Sequence, residues 1–335
     1  MAKPLNYRPW GRFDWLLSKL PKNSYHFIGC VGTEDRCIAA YREATKLNQL
    51  SGCSFVEVLD TDSVYSPMAL KKRQDNSDKL ESIGVSPSDI TQVKLLAREE
   101  EIIVWIEKSI KNASTILIDI SSLPKRFFFP AIRLLLKQDA IKNLLVTYTA
   151  PETYCSEDIA ELPSDWRALP LFGPEEYPEP QYEIAAIGVG FLPFGLPDLL
   201  KSGFRGAKPH LLFPFPASPS TYFKTWEFVR QIETSLPLNP IDQIVRINGM
   251  DPSDTFDHIC WLTEQNKKKA LFAPYGPKPM SLGMAIYATL TESPVFYTQP
   301  RVYHPDYSTG VRLKDGRPEI FTYCLKLEGR NLYSV

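Results

Sequence analysis

Asp119, Ser121, Ser122 and Lys125 leave one apolar run within a single turn, in Thr115-Ile-Leu-Ile-Asp-Ile-Ser-Ser-Leu-Pro-Lys125. A carboxylate, hydroxyls and an ammonium at that spacing suit a ligand that carries phosphate and sugar. Lys125 can neutralise a phosphate, Ser121 can donate to and accept from a hydroxyl, and Asp119 can orient the lysine or the local backbone. Pro124 suits the first turn of a helix, where its missing N–H has no partner to lose, and Ser121 or Ser122 is the natural cap. A second candidate loop is Gly29-Cys-Val-Gly-Thr-Glu-Asp-Arg36, in which Gly29, Gly32 and Thr33 stand at the start of a helix. Glycine admits close approach of backbone N–H groups, and a helix start favours anions. Gly188 and Gly190 take the equivalent place in the second half, and Gly276 and Lys278 follow in Gly276-Pro-Lys-Pro279. Neither glycine loop completes the dinucleotide fingerprint, and no cofactor is expected. The histidines and cysteines show no zinc spacing, so no metal is expected either. His304, beside Asp306 and Arg301, offers an acid-base pair without a Ser or Cys nucleophile at informative spacing.

The elements that position these loops alternate. Tyr25–Val31, Phe55–Leu59, Ile90–Leu96, Thr115–Ile120 and Leu144–Tyr148 read as strands, and Glu34–Asn48 and Arg98–Lys111 carry helical spacing. Ser63–Ser88 reads as a solvated connector holding a short helix. Trp10–Leu20 reads as a short amphipathic helix that packs Trp15, Leu16 and Leu20 onto the first domain. The second half repeats the alternation from Tyr182 to Thr298. The fold class is therefore α/β, two duplicated Rossmann-like units with mainly parallel sheets and a short β segment added at the C-terminus. Duplication is also written in the residues: Tyr148-Thr-Ala-Pro-Glu-Thr-Tyr154 and Tyr297-Thr-Gln-Pro-Arg-Val-Tyr303 agree at four of seven positions. Each trails a Pro-Lys pair, Pro124-Lys125 or Pro277-Lys278. Expected boundaries are 1–162 for the first domain, 163–181 for a Pro-rich linker, and 182–335 for the second domain with its C-terminal β extension.

At 335 residues each half can bury a core of its own. A net charge of −1 offers no global attraction to DNA or an acidic membrane, so generic nucleic-acid binding is not expected. No apolar stretch approaches the ~20 residues of a membrane span. Scattered cysteines without a secretory leader place the chain in the cytoplasm.

The Asp119-x-Ser-x-x-x-Lys125 turn at the end of a fourth strand resembles the signature of the CARF (CRISPR-associated Rossmann fold) domains. The tandem arrangement is similar to the related SAVED domains, which fuse two CARF-like units. The resemblance spans about Tyr25–Thr149 and, more loosely, Tyr182–Thr298. It implies binding of a nucleotide or cyclic oligonucleotide where two CARF-like halves meet, in bacterial defence or stress signalling, with the signal passed to a separate effector protein. In the second half Phe272 and Pro274 stand where the signature has Asp and Ser, although Lys278 is kept, which implies a lopsided site. A further match, Asp306-x-Ser-x-x-x-Arg312, follows no fourth strand and opens no helix. Two other readings stay open: an enzyme using the same cleft, whether a ring-opening nuclease or a nucleotide-sugar-dependent transferase, and a scaffold subunit. Whether the chain is an enzyme is left undecided by its residues.

Overall fold

The computed structural model describes residues 7–20, 24–155, 160–163, 165–174, 181–203, 206–216, 219–234 and 238–335. The chain forms two compact units, Met1–Leu162 with Pro300–Tyr333, and Pro163–Gln299 with Ser334–Val335. Both are α/β.

In the first unit β1 (Trp10–Arg12) and α1 (Phe13–Lys19) precede β2 (Tyr25–Val31), α2 (Ala39–Lys46), β3 (Leu50–Leu59) and α3 (Ser66–Glu81). Then come β4 (Ile90–Lys94), α4 (Glu99–Ile110), β5 (Thr115–Asp119), α5 (Lys125–Lys137) and β6 (Asn143–Thr149). Strands β2 to β6 are parallel and lie in the order β6-β5-β2-β3-β4. Every residue of β2, β5 and β6 is buried, as expected of strands covered on both faces by helices. Phe27, Tyr41 and Phe55 meet edge-on or tilted at 5.2 to 5.6 Å between ring centroids and centre one core layer.

In the second unit β7 (Ile184–Gly188), β8 (Lys208–Phe215), α6 (Pro219–Glu233), β9 (Ile244–Asn248), α7 (Pro252–Leu262), β10 (Ala270–Pro274) and α8 (Lys278–Thr291) repeat the pattern. Their sheet runs β9-β8-β7-β10, all parallel. Counted by appearance, the strand order is 3-2-1-4 in both units, with β6 adding a fifth in the first. Val295 makes a single parallel bridge to Phe272 in the corresponding place of the second.

Four expectations need correction. The closing segment does not extend the second unit. Strand β11 (Ile320–Leu327) runs antiparallel between β6 and β1, with Ile320 opposite Thr149 and Tyr323 opposite Trp10, and so completes the first unit's sheet. The expected linker holds Arg167–Ala168, which pairs with Phe296–Tyr297 inside the second unit; its residues 164 and 175–180 lie outside the described residues. Ser63–Ser88 is built around the 16-residue α3, and Trp15 of α1 is 53% exposed while Phe13, Leu16 and Leu17 face the core.

Candidate functional site

Strands β2 and β5 are neighbours, yet their outgoing connections lead to strands on either side, and the carboxyl ends at such a switch point are where open α/β sheets take ligands. Gly32 follows β2, and a β-carbon added to it would stand 3.1 Å from Ser122 Cβ. The Ser122 hydroxyl donates to the Cys30 carbonyl at 3.1 Å, which leaves its oxygen able to accept. Lys125 is the first residue of the 13-residue α5, half-buried beside this contact in sequence, and Thr33 is half-buried next to Gly32. Gly32 and Ser122 therefore meet at one corner, with Thr33 and Lys125 next to them along the chain.

Asp119 and Ser121 stand behind that corner. Both have 0% exposure, so they are not placed to touch a ligand as the sequence reading expected. The Ser121 hydroxyl donates to Asp119 Oδ1 at 2.6 Å, Thr147 Oγ1 donates to the same oxygen at 2.9 Å, and Ser121 Oγ accepts the Thr149 N–H at 2.7 Å. Their polar groups stitch the end of β5 to the end of β6 and fix the exit angle of the loop that carries Ser122 and Lys125. Gly29 is likewise inside β2, opposite Phe55, where an added β-carbon would meet the Phe27 and Phe55 rings at 2.7 Å. It is a packing glycine.

The sequence reading missed the neighbours that frame this corner. Arg36 is 2% exposed and bonds Glu34 Oε2 through Nε at 2.9 Å, with its second nitrogen at 2.7 Å. It also donates to the Thr149 carbonyl at 3.3 Å and lies 5.4 Å over the Tyr148 ring. Burial disfavours the Arg36 charge, but the Glu34 carboxylate and the Tyr148, Tyr154 and Tyr307 hydroxyls together outweigh it and hold the guanidinium protonated above its usual range. The hydroxyl of Ser308 donates to Glu34, and the Gly310 N–H donates to Asp35 at 3.1 Å. Asp306 pairs with Lys72, and Arg312 with Glu319. The second signature-like run is thus spent on structure, strapping Asp306–Arg312 over the loop that follows β2. On the other flank Arg73 of α3 bridges Glu57 at 3.2 Å and Asp60 at 3.5 Å. Burial pushes the Asp60 carboxyl up to about 6, with Arg73 opposing the shift.

The second unit's corner also converges, but on itself. An added β-carbon on Gly188 would stand 3.2 Å from the Gly276 nitrogen, on Gly276 2.8 Å from Met280 Sδ, and on Gly190 only 2.1 Å from the Tyr275 carbonyl oxygen. The Tyr275 hydroxyl donates to the Phe194 carbonyl at 2.8 Å, and its ring packs on Phe228 and Tyr297. Gly188, Gly190 and Gly276 are brought together to let backbones touch, and Tyr275 fills the space behind them. Lys278 is the first residue of α8 and half-buried. Among the described residues no group of three His, Cys, Asp or Glu side chains is placed to hold a metal ion, and no helix is long and apolar enough to cross a membrane.

No protein-family model matches the chain. No curated protein matches it either. Among solved structures it is similar to a Pseudomonas aeruginosa UCBPP-PA14 protein described as a universal stress protein, at 13% identity and a TM-score of 0.24, over 84% of this chain and 95% of that one. It is similar as well to a protein of unknown function from Pseudomonas aeruginosa PAO1, at 12% identity and a TM-score of 0.23, over 84% and 94%.

Proposed function

We propose that the chain is a sensor that binds a nucleotide-type anion at the carboxyl edge of its first unit and hands the signal to a separate effector protein. The observation that carries this reading is the meeting of Ser122 with Gly32 beside the Lys125 start of α5. A phosphate is served there by the lysine and by the first N–H groups of the helix, and a ribose hydroxyl by the accepting oxygen of Ser122. Cyclic oligonucleotides are the first ligands to try, because the Asp119-to-Lys125 turn resembles the CARF signature.

Calorimetry with a panel of linear and cyclic oligonucleotides tests the reading. Wild-type protein should release heat with at least one member, and Lys125→Ala and Ser122→Ala should each weaken that binding about tenfold, the loss of one charge-assisted or neutral hydrogen-bond partner. A parallel Lys278→Ala titration reports whether the second unit takes part. Equal heats for wild type and Lys125→Ala would overturn the site, and turnover of the nucleotide during the titration would make the protein an enzyme instead.

A further inference from the structure

With the crevice of the second unit filled by Tyr275, the chemistry left exposed at its carboxyl edge lies one strand over. Phe215 closes β8, a strand hydrogen-bonded on both sides, yet its ring is 49% exposed. Side chains alternate along a strand, so Phe215 shares a face with Phe213, which packs against Trp226 of α6 at 4.9 Å between ring centroids. Phe213 thus belongs to the core and Phe215 overhangs it. Arg246, exposed on β9 and in register with Phe213, places its guanidinium carbon 5.3 Å over the Phe215 ring. The pair sets an aromatic ring and a positive charge side by side near the carboxyl edge of the sheet.

Contacts among the described residues frame that pair. The Gly249 N–H donates to the Phe215 carbonyl at 3.1 Å, drawing the loop after β9 against the tip of β8. A β-carbon on Gly249 would stand 3.0 Å from Pro214 and 3.8 Å from Pro277, so a side chain there would crowd the edge. Lys278 follows Pro277 directly and brings a second positive charge to the same edge. The carboxylates there are turned to backbone donors: Asp254 accepts the Asn248 N–H at 2.6 Å and Asp251 accepts the Ser253 N–H at 2.8 Å.

We propose that Phe215 and Arg246 form a nucleobase-stacking subsite in the second unit that takes one purine nucleotide, its phosphate drawn by Arg246 and Lys278. A flat π-system stacks on an aromatic ring and on a guanidinium plane alike, and a cationic neighbour selects for an anionic ligand. This subsite stands independently of the first-unit corner.

Full-length protein titrated with the fluorescent nucleotide ethenoadenosine triphosphate, read by anisotropy, tests the assignment. Phe215→Leu, which keeps the bulk and removes the ring, and Arg246→Gln should each weaken wild-type binding about tenfold, the usual effect of losing one stacking partner. Phe223→Ala, which removes a more exposed ring of α6, should leave binding unchanged, and Lys125→Ala should leave the Phe215-dependent component in place. Wild-type anisotropy flat to about 1 mM nucleotide, or an affinity unaltered in both Phe215→Leu and Arg246→Gln, would overturn the subsite without touching the first-unit reading.

Discussion

Replacing Arg36 by methionine tests how the first unit's carboxyl edge is held together. The Arg36 side chain is 2% exposed and that of Glu34 is 11% exposed, with 2.7 Å between charged atoms. Methionine fills much of the arginine volume but leaves Glu34 with a buried negative charge that, among the described residues, the Ser308 hydroxyl alone still serves. Breaking one side of such a pair costs about 3–5 kcal/mol. The two units need not unfold together, so a single melting curve is a poor gauge. Hydrogen exchange of the β2 and β6 amides, followed by mass spectrometry, reads the first unit directly. Protection there should fall by about two to three and a half orders of magnitude at neutral pH. The double variant Glu34→Gln, Arg36→Met removes the orphaned charge and should recover more than half of that loss. A single variant that loses less than about tenfold in protection, or a double variant no better than the single, would refute the account of Glu34 and Arg36 as a mutually dependent buried pair.

Other outcomes follow from particular contacts. Ser121→Ala removes the donor to Asp119 and the acceptor for the Thr149 N–H, both fully buried, and should cost about 1–3 kcal/mol in urea denaturation, whereas Ser122→Ala at the half-exposed corner should cost about 1 kcal/mol or less. Burial, with Lys208 and His258 adding repulsion, lowers His210 to about 4. The unfolded chain, in which histidine titrates near its ordinary value of 6.5, then binds the proton more readily than the folded one. Stability conferred by neutral His210 is complete above pH 6.5 and is lost as the pH falls towards 4. Discounted for a partly solvated ring, the loss is about 1–2 kcal/mol, and the urea midpoint of His210→Gln should fall less between pH 7.5 and pH 4.5 than that of wild type. Gly283→Ala in α8 should destabilise by about 1–3 kcal/mol in thermal melts although helix propensity alone favours alanine, because its β-carbon would stand 2.5 Å from the Pro252 carbonyl oxygen.

The alternation of strands and helices was legible because fully buried strands such as Tyr25–Val31 are apolar but for His26 and helices such as Glu99–Ile110 carry an apolar stripe. The length of helix α3 was not legible, since Ser63–Ser88 read as a connector with only a short helix. Its inward stripe is Ala69, Arg73, Asn76 and Leu80, two of them polar. Arg73 faces inward because Glu57 and Asp60 await it, and Asn76 because its side chain donates to the Gly32 carbonyl at 2.8 Å. Hydrophobic periodicity cannot see a helix that buries hydrogen-bonding groups. The Asp119-to-Lys125 turn stood out from spacing alone, but spacing cannot say which members face outward: the strand ends conceal Asp119 and Ser121 while Ser122 and Lys125 keep some surface. The return of β11 to the first unit had no local signature, since an antiparallel partner is chosen by the vacant edge it finds.

That return sets the order in which the molecule can be made. On the ribosome β6 emerges long before Ile320, and about ten to thirty seconds of translation separate them. Throughout that interval the nascent first unit carries a naked strand flank, Asn143–Thr149, every residue of which is buried in the finished fold, while the second unit is still being spun out. Newly made chains crowded on one messenger can find each other's open flanks before their own tails arrive, so expression in cells should reward infrequent initiation and chaperone cover more than added stability in the finished fold.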